Sequence, residues 1–180
     1  MKLTRNEAAR VLRDHNRFLI LTHRRPDGDT LGSAAALCRG LRLLGKSAWV
    51  LRNPEVTPRF SFLLEGLTVD TAPEDAFLVS TDVASPSMLP AQYMGLLDRI
   101  RLRIDHHASS TSFTRWELVE PESASCAEIV WELLRLLQLA ITYWQQTMPK
   151  TSRKQAVLLK DLLQPNLIDG QYALLLQKII

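Results

Sequence analysis

The chain has 180 residues, 46% hydrophobic and 23% charged, enough for one buried core and little more than one domain. Its apolar runs fall short of the ~20 residues that span a bilayer, and its opening segment is charged and amphipathic without a signal-peptide core, which predicts a cytoplasmic protein. The net charge of +3 comes from 22 basic residues, mostly Arg, spread along the chain against 19 acids, a balance compatible with an anionic substrate.

Thr4-Arg5-Asn6-Glu7 fits a capping box, and Ala8, Val11 and Leu12 follow at helical spacing, predicting a helix over 5–15. Phe18-Leu19-Ile20-Leu21-Thr22 is apolar without alternation, as in a strand buried on both faces, and delivers His23. Pro26-Asp27-Gly28-Asp29 reads as a turn, after which an Ala- and Leu-rich helix is predicted over 31–44 with Gly45 as its stop. A second strand is expected over 47–51. Asn53-Pro54 and Pro58 break it before a short helix near 59–64. Strands over 76–80 and 100–104 end at Thr81-Asp82 and Asp105.

Ser125-Cys126-Ala127-Glu128 reads as a second capping box, opening a helix to about residue 139 with Ile129, Val130, Leu133, Leu134, Leu136 and Leu137 on its apolar face. Residues 152–163 and 170–180 read as two short amphipathic helices, giving a helical C-terminal tail over 143–180 beside a domain over 1–142. Buried strands separated by helical stretches predict an α/β fold, a Rossmann-like parallel sheet with helices on both faces. Cys38 and Cys126 sit in helix-like apolar stretches without partners at zinc spacing and read as buried thiols.

His23, Asp27 and Asp29 form an H-x-x-x-D-x-D pattern on the predicted turn, with Gly28 expected to bend the backbone so that the carboxylates diverge. Asp82 and the run Asp105-His106-His107 arrive from other strand ends, at the edge where open α/β sheets hold ligands. Taken singly, these are an Asx turn with a satisfied histidine, a cap or turn acid, and a short polar run. Taken together they point to a two-metal hydrolase site, in which divalent ions ~3.5–4 Å apart can generate a hydroxide and hold phosphoryl oxygens for in-line attack. Mixed carboxylate and imidazole donors suit manganese, with magnesium, cobalt or iron less easily excluded.

The strings His23-Arg24-Arg25-Pro26-Asp27-Gly28-Asp29-Thr30-Leu31-Gly32-Ser33, Asp82-Val83-Ala84 and Ile104-Asp105-His106-His107 resemble the first three motifs of the DHH phosphoesterase family, in particular its bacterial nanoRNase/pAp phosphatase branch. The likeness runs over roughly residues 5–140, and 122–130 resembles the family's lead into the next helix. The resemblance implies a phosphoesterase that trims very short oligoribonucleotides and dephosphorylates 3′-phosphoadenosine 5′-phosphate, using two Mn2+ ions, or Mg2+ or Co2+. It implies His23 and Asp27 on the first ion, Asp29 and His106 on the second, and Asp82 bridging both. His107 would contact the scissile phosphate, and Asp105 would orient an adjacent histidine. Arg24, Arg25 and a helix N-terminus near Gly32-Ser33 would add phosphate contacts.

The family's fourth motif, an Asp-Thr-Gly carrying a second bridging Asp, is due after Ile141-Thr142 and is not there; Thr147-Met148-Pro149-Lys150-Thr151 resembles a stretch downstream of it, as an internal deletion would leave. Asp161 and Asp169 do not follow buried strands, and the family's second, substrate-binding domain is expected to be missing. Two functions follow: a metal-dependent phosphoesterase of this branch, or a catalytically impaired protein of the same fold that binds nucleotide, nucleic acid or a partner without turnover. A third is a relative acting on cyclic dinucleotides or pyrophosphate. The expected partners are short single-stranded RNA or a small nucleotide, with no membrane, and Leu158, Leu159, Leu162 and residues 174–176 would support a homodimer.

Overall fold

The computed structural model describes residues 1–137, so the tail helices, the 147–151 stretch and the leucines expected to support a dimer lie outside the described residues. Its strands are β1 (Phe18–Leu21), β2 (Ala48–Leu51), β3 (Thr68–Val69), β4 (Phe77–Thr81), β5 (Ile100–Asp105) and β6 (Trp116–Val119). They form one sheet in the order β3-β2-β1-β4-β5-β6, every neighbouring pair parallel. β1 and β4 are buried at every position, which is why their sequences are unbroken apolar runs rather than alternating ones. β3 escapes the sequence reading because two residues are too short to show a period, and β6 because Glu117 interrupts its apolar run.

One face carries α1 (Arg5–Asp14), α2 (Gly28–Leu43), the short α3 (Pro58–Ser61) and α4 (Cys126–Leu136). There Phe18, Ile20, Val50, Val79, Leu102 and Ile104 of the sheet form one core with Leu12, Leu31, Leu37, Ile129 and Leu133 of the helices. The opposite face, with Leu19, Leu21, Leu51 and Leu78, packs with Leu89 and Tyr93 and is covered by a 3-10 helix over Ala91–Arg99. The second helical layer is therefore 3-10 rather than α: Pro86, Pro90 and Gly95 fall within or beside it and weaken an α ladder.

The helix ends follow local chemistry. Thr4 and Glu7 close the predicted capping box in both directions. α2 ends in a Schellman motif, with Gly45 at φ +76 donating to the Arg42 carbonyl and the Lys46 amide donating to that of Leu41. Two expectations need correction. α2 begins at Gly28, not near residue 31, because the Asp27 carboxylate caps it by accepting from the amides of Asp29 and Thr30. Gly28 is therefore a helical residue rather than a bend, and Gly32 and Ser33 are buried one turn inside the helix, not at an anion-binding end. At α4, Ser125 accepts from the Glu128 amide, but the Glu128 carboxylate accepts from Ala124, so the second box closes from one side only. Cys38 and Cys126 are free and fully buried; burial pushes the Cys38 thiol up to about 11 and that of Cys126 well above its ordinary value.

Candidate metal centre

The strand order reverses direction between β1 and β4, and a crevice outside the carboxyl ends of the strands is the usual ligand site at such a switch point. Both strand ends carry candidate ligands, His23 just beyond β1 and Asp82 just beyond β4, while β5 leads into His106 and His107. The first turn of α2 supplies Asp27 and Asp29.

Asp82 lies at the centre. It is only 2% exposed, and its backbone is left-handed at φ +61, a conformation costing ~1–2 kcal/mol in a residue with a Cβ and most often tolerated at functional sites. The strand end is pinned by the Asp82 amide donating to the Ile104 carbonyl at 2.9 Å and by the Thr30 hydroxyl donating to the Thr81 carbonyl at 2.8 Å. One carboxylate oxygen of Asp82 is 3.6 Å from His23 Nε2, and the other is 3.6 Å from His106 Nε2 and 3.5 Å from His107 Nδ1. His23 Nε2 is also 3.7 Å from Asp27. Two ligand groups result, His23-Asp27-Asp82 and Asp82-His106-His107, each with donor atoms within 4.8 Å of one another and with Asp82 in common.

The chemistry of this donor set fits divalent cations. Asp82 Oδ1 is buried without a hydrogen-bond partner, a state costing several kcal/mol for a carboxylate unless a cation meets it. The donors around it are too far apart to hydrogen bond well with one another and near enough to share an ion. Each histidine is also fixed through its other nitrogen or its neighbour. His23 Nδ1 lies 2.7 Å from the Arg24 carbonyl and His106 Nδ1 3.2 Å from that of Ser123, so both carry the proton on Nδ1 and keep Nε2 for the cluster.

Asp29 and Asp105 stand apart from the two groups. Asp29 accepts from the Cys126 and Ala127 amides at 2.8 and 2.9 Å, seating its carboxylate on the N-terminus of α4, with Oδ2 also 3.7 Å from His106 Nε2. His107 places its Nδ1 3.5 Å from Asp82 Oδ1. Asp105 is fully buried and 2.8 Å from His107 Nδ1, a holding arrangement rather than a ligating one. Arg24 and Arg25 are exposed.

The sequence reading missed the residues behind these. Asn53, after β2, donates to the His23 carbonyl at 2.9 Å and to Thr22 at 3.0 Å. Arg5 pairs with Glu120, which accepts from the Ser123 hydroxyl in the loop that meets His106. Asn53-Pro54 carried only a loop signal, and Arg5 and Glu120 carried none.

Charge coupling within the cluster is strong. Burial alone would depress the His23 pKa, but the nearby Asp27 and Asp82 carboxylates together outweigh it and push it up to about 10. The His23 contact holds Asp27 down to about 2. Burial and then the Asp82 charge raise Asp29. Burial depresses His107, but Asp105 and the Asp82 charge together raise it, for a net rise.

A family model described as the DHH family, N-terminal domain, matches residues 17–162. The chain belongs to the DHH family. It is 36% identical over 121 residues to the bifunctional oligoribonuclease and PAP phosphatase NrnA of Thermus thermophilus, covering 66% of this chain and 36% of that protein. It is 25% identical over 147 residues to the cyclic-di-AMP phosphodiesterase GdpP of Bacillus subtilis, covering 69% of this chain and 22% of that one. The chain thus spans about a third or less of the length of these relatives. The crystal structure of an exopolyphosphatase-related protein from Bacteroides fragilis shares the fold of this chain at a TM-score of 0.57 and 20% identity, covering 74% of this chain and 43% of that one. Among the described residues, no helix is long and apolar enough to cross a membrane.

Proposed function

We propose that the chain is a metal-dependent phosphoesterase that hydrolyses short oligoribonucleotides, 3′-phosphoadenosine 5′-phosphate or both, in the cytoplasm. The observation that carries this reading is the buried Asp82, with an unpartnered oxygen and a strained backbone, standing between two ligand groups at the sheet's switch point. The likeness to NrnA supports the substrate class. His23 and Asp27 would hold one cation and Asp29 and His106 the other, with Asp82 shared. Manganese suits this mixture of carboxylate and imidazole, with magnesium or cobalt as substitutes. Bound cations would neutralise phosphoryl charge and acidify the attacking water. The chain's own part is to orient: carbonyls fix His23 and His106, and Asp105 fixes His107, whose Nε2 is then free to meet a phosphate oxygen.

With Mn2+, the protein is expected to release phosphate from 3′-phosphoadenosine 5′-phosphate or mononucleotides from short RNA, and Asp82→Ala and His106→Ala are each expected to abolish turnover. A folded wild type without turnover on either substrate overturns the enzyme reading. A second reading, binding of nucleotide, nucleic acid or a partner without turnover, is favoured by the missing Asp-Thr-Gly string, which removes a bridging carboxylate that the family resemblance implies. Equilibrium binding of the same nucleotides without hydrolysis is its signature. Self-association as a homodimer belongs to either reading, and sedimentation showing only monomer excludes it.

A further inference from the structure

Arg103 is the largest fully buried side chain among the described residues, only 2% exposed in the middle of β5, and it belongs to neither ligand group. Its NH1 donates to the Thr111 carbonyl at 2.9 Å and to the Ala84 carbonyl at 3.1 Å, and the Thr111 amide donates to the same Ala84 carbonyl. Ala84 belongs to the segment that begins with Asp82, and Thr111 to the loop that follows His107. The guanidinium therefore clasps the two ligand-bearing segments to each other. It also lies 3.8 Å from Asp105 Oδ2, 3.4 Å from Glu117 Oε1, its register partner on β6, and over the Phe113 ring.

A buried ion pair is a costly way to stabilise a strand, since an apolar side chain of similar volume is often as good or better. Glu117 is committed elsewhere as well, accepting from the Phe113 and Thr114 amides. Asp105 has no hydrogen-bond partner on Oδ2, and its cationic neighbours among the described residues are Arg103 and His107. Its other oxygen faces the His107 ring nitrogen at 2.8 Å. A continuous line, Glu117 to Arg103 to Asp105 to His107, thus runs from the sheet edge to the crevice.

We infer that Arg103 is a positioning residue for His107, the fixed cation that holds the Asp105 carboxylate in place and locks the Asp82 and His107 segments at one separation. The inference rests on the proposed role of His107 in the metal centre. The decisive readout is the Nδ1 proton of His107 in a protein labelled with 15N-histidine, since a proton shared with a buried carboxylate exchanges slowly and resonates downfield. Arg103→Met alone strands two buried carboxylates, so it is paired with Glu117→Gln, which still accepts from the loop amides.

The His107 signal is expected in the wild type, retained in Arg103→Lys and lost in Arg103→Met/Glu117→Gln. The Nδ1 protons of His23 and His106, which face carbonyls outside this line, are expected to remain in every variant. Absence of the His107 signal from the wild type, its loss in the lysine variant, its survival in the double variant, or joint loss of all three signals overturns the inference, the last because Arg103 would then be scaffold alone. Adding Mn2+ to the wild type separates the underlying reading: failure of Mn2+ to broaden the three histidine signals sinks the metal centre without touching the positioning result.

Discussion

Asp82 and His23 show how burial and charge act on single residues at this site. In the metal-free protein the His23 pKa lies near 10, above its ordinary 6.5, so the contacts of its charged form with Asp27 and Asp82 are fully present below about pH 6.5 and lost as pH rises towards 10. Asp27 is shifted the other way, to about 2, so its contribution is present above its ordinary 3.8 and lost as pH falls through 2. A metal ion needs the neutral imidazole. Between pH 6.5 and 10, binding of Mn2+ is therefore expected to expel a proton from His23, and affinity is expected to rise with pH. Calorimetric titrations at pH 8 in buffers of different ionisation enthalpy check this, and heats independent of the buffer count against it. The residues of this cluster were legible in sequence because each follows an apolar strand. Arg103 was not, since Arg101, Arg103 and Asp105 share one parity in β5 and nothing local says that Arg101 is exposed while the other two are buried.

Among the elements, the contact of α2 with α4 decides whether the site is assembled. Asp29 at the start of α2 caps the start of α4, and further along the helices meet at Gly40, where a Cβ would lie 2.3 Å from Leu134 Cδ2 and 3.3 Å from its Cγ. A small rotation of Leu134 can admit a methyl but not a branched side chain. Gly40→Val is expected to destabilise the fold by ~1–3 kcal/mol, since β-branched valine recovers only ~0.3 kcal/mol of helix propensity over glycine. A urea midpoint lowered at constant slope would bear this out, and an unchanged midpoint would show that the two helices can part. The types of α1, α2, α4 and the four central strands were readable from capping signals and apolar runs. The start of α2 was not, because Asp27-Gly28-Asp29 serves equally as a turn or as a cap with its first helical residues, and only the packed helix selects the cap.

Across the whole molecule, folding gathers two strand ends, a third strand's exit and a helix start around one buried carboxylate. Mn2+ at a hundred times its dissociation constant is expected to add ~2.7 kcal/mol of stability and raise Tm, reversibly with chelator. Asp82→Asn tolerates the same left-handed backbone and removes the unpartnered buried charge. Its Tm without metal is expected to match or exceed that of the wild type, while the Mn2+ increment disappears. A full Mn2+ shift in that variant would place the ions away from Asp82. By itself the sequence determined the α/β class, the DHH motifs and the residues that could bind metal, because each is written in a local string of strand, turn and donor. The tertiary structure alone decided that Asp29 caps α4 while His107 stands beside Asp82, and that Arg103 is buried behind Asp105, because donor direction and burial depend on neighbours brought together from distant parts of the chain.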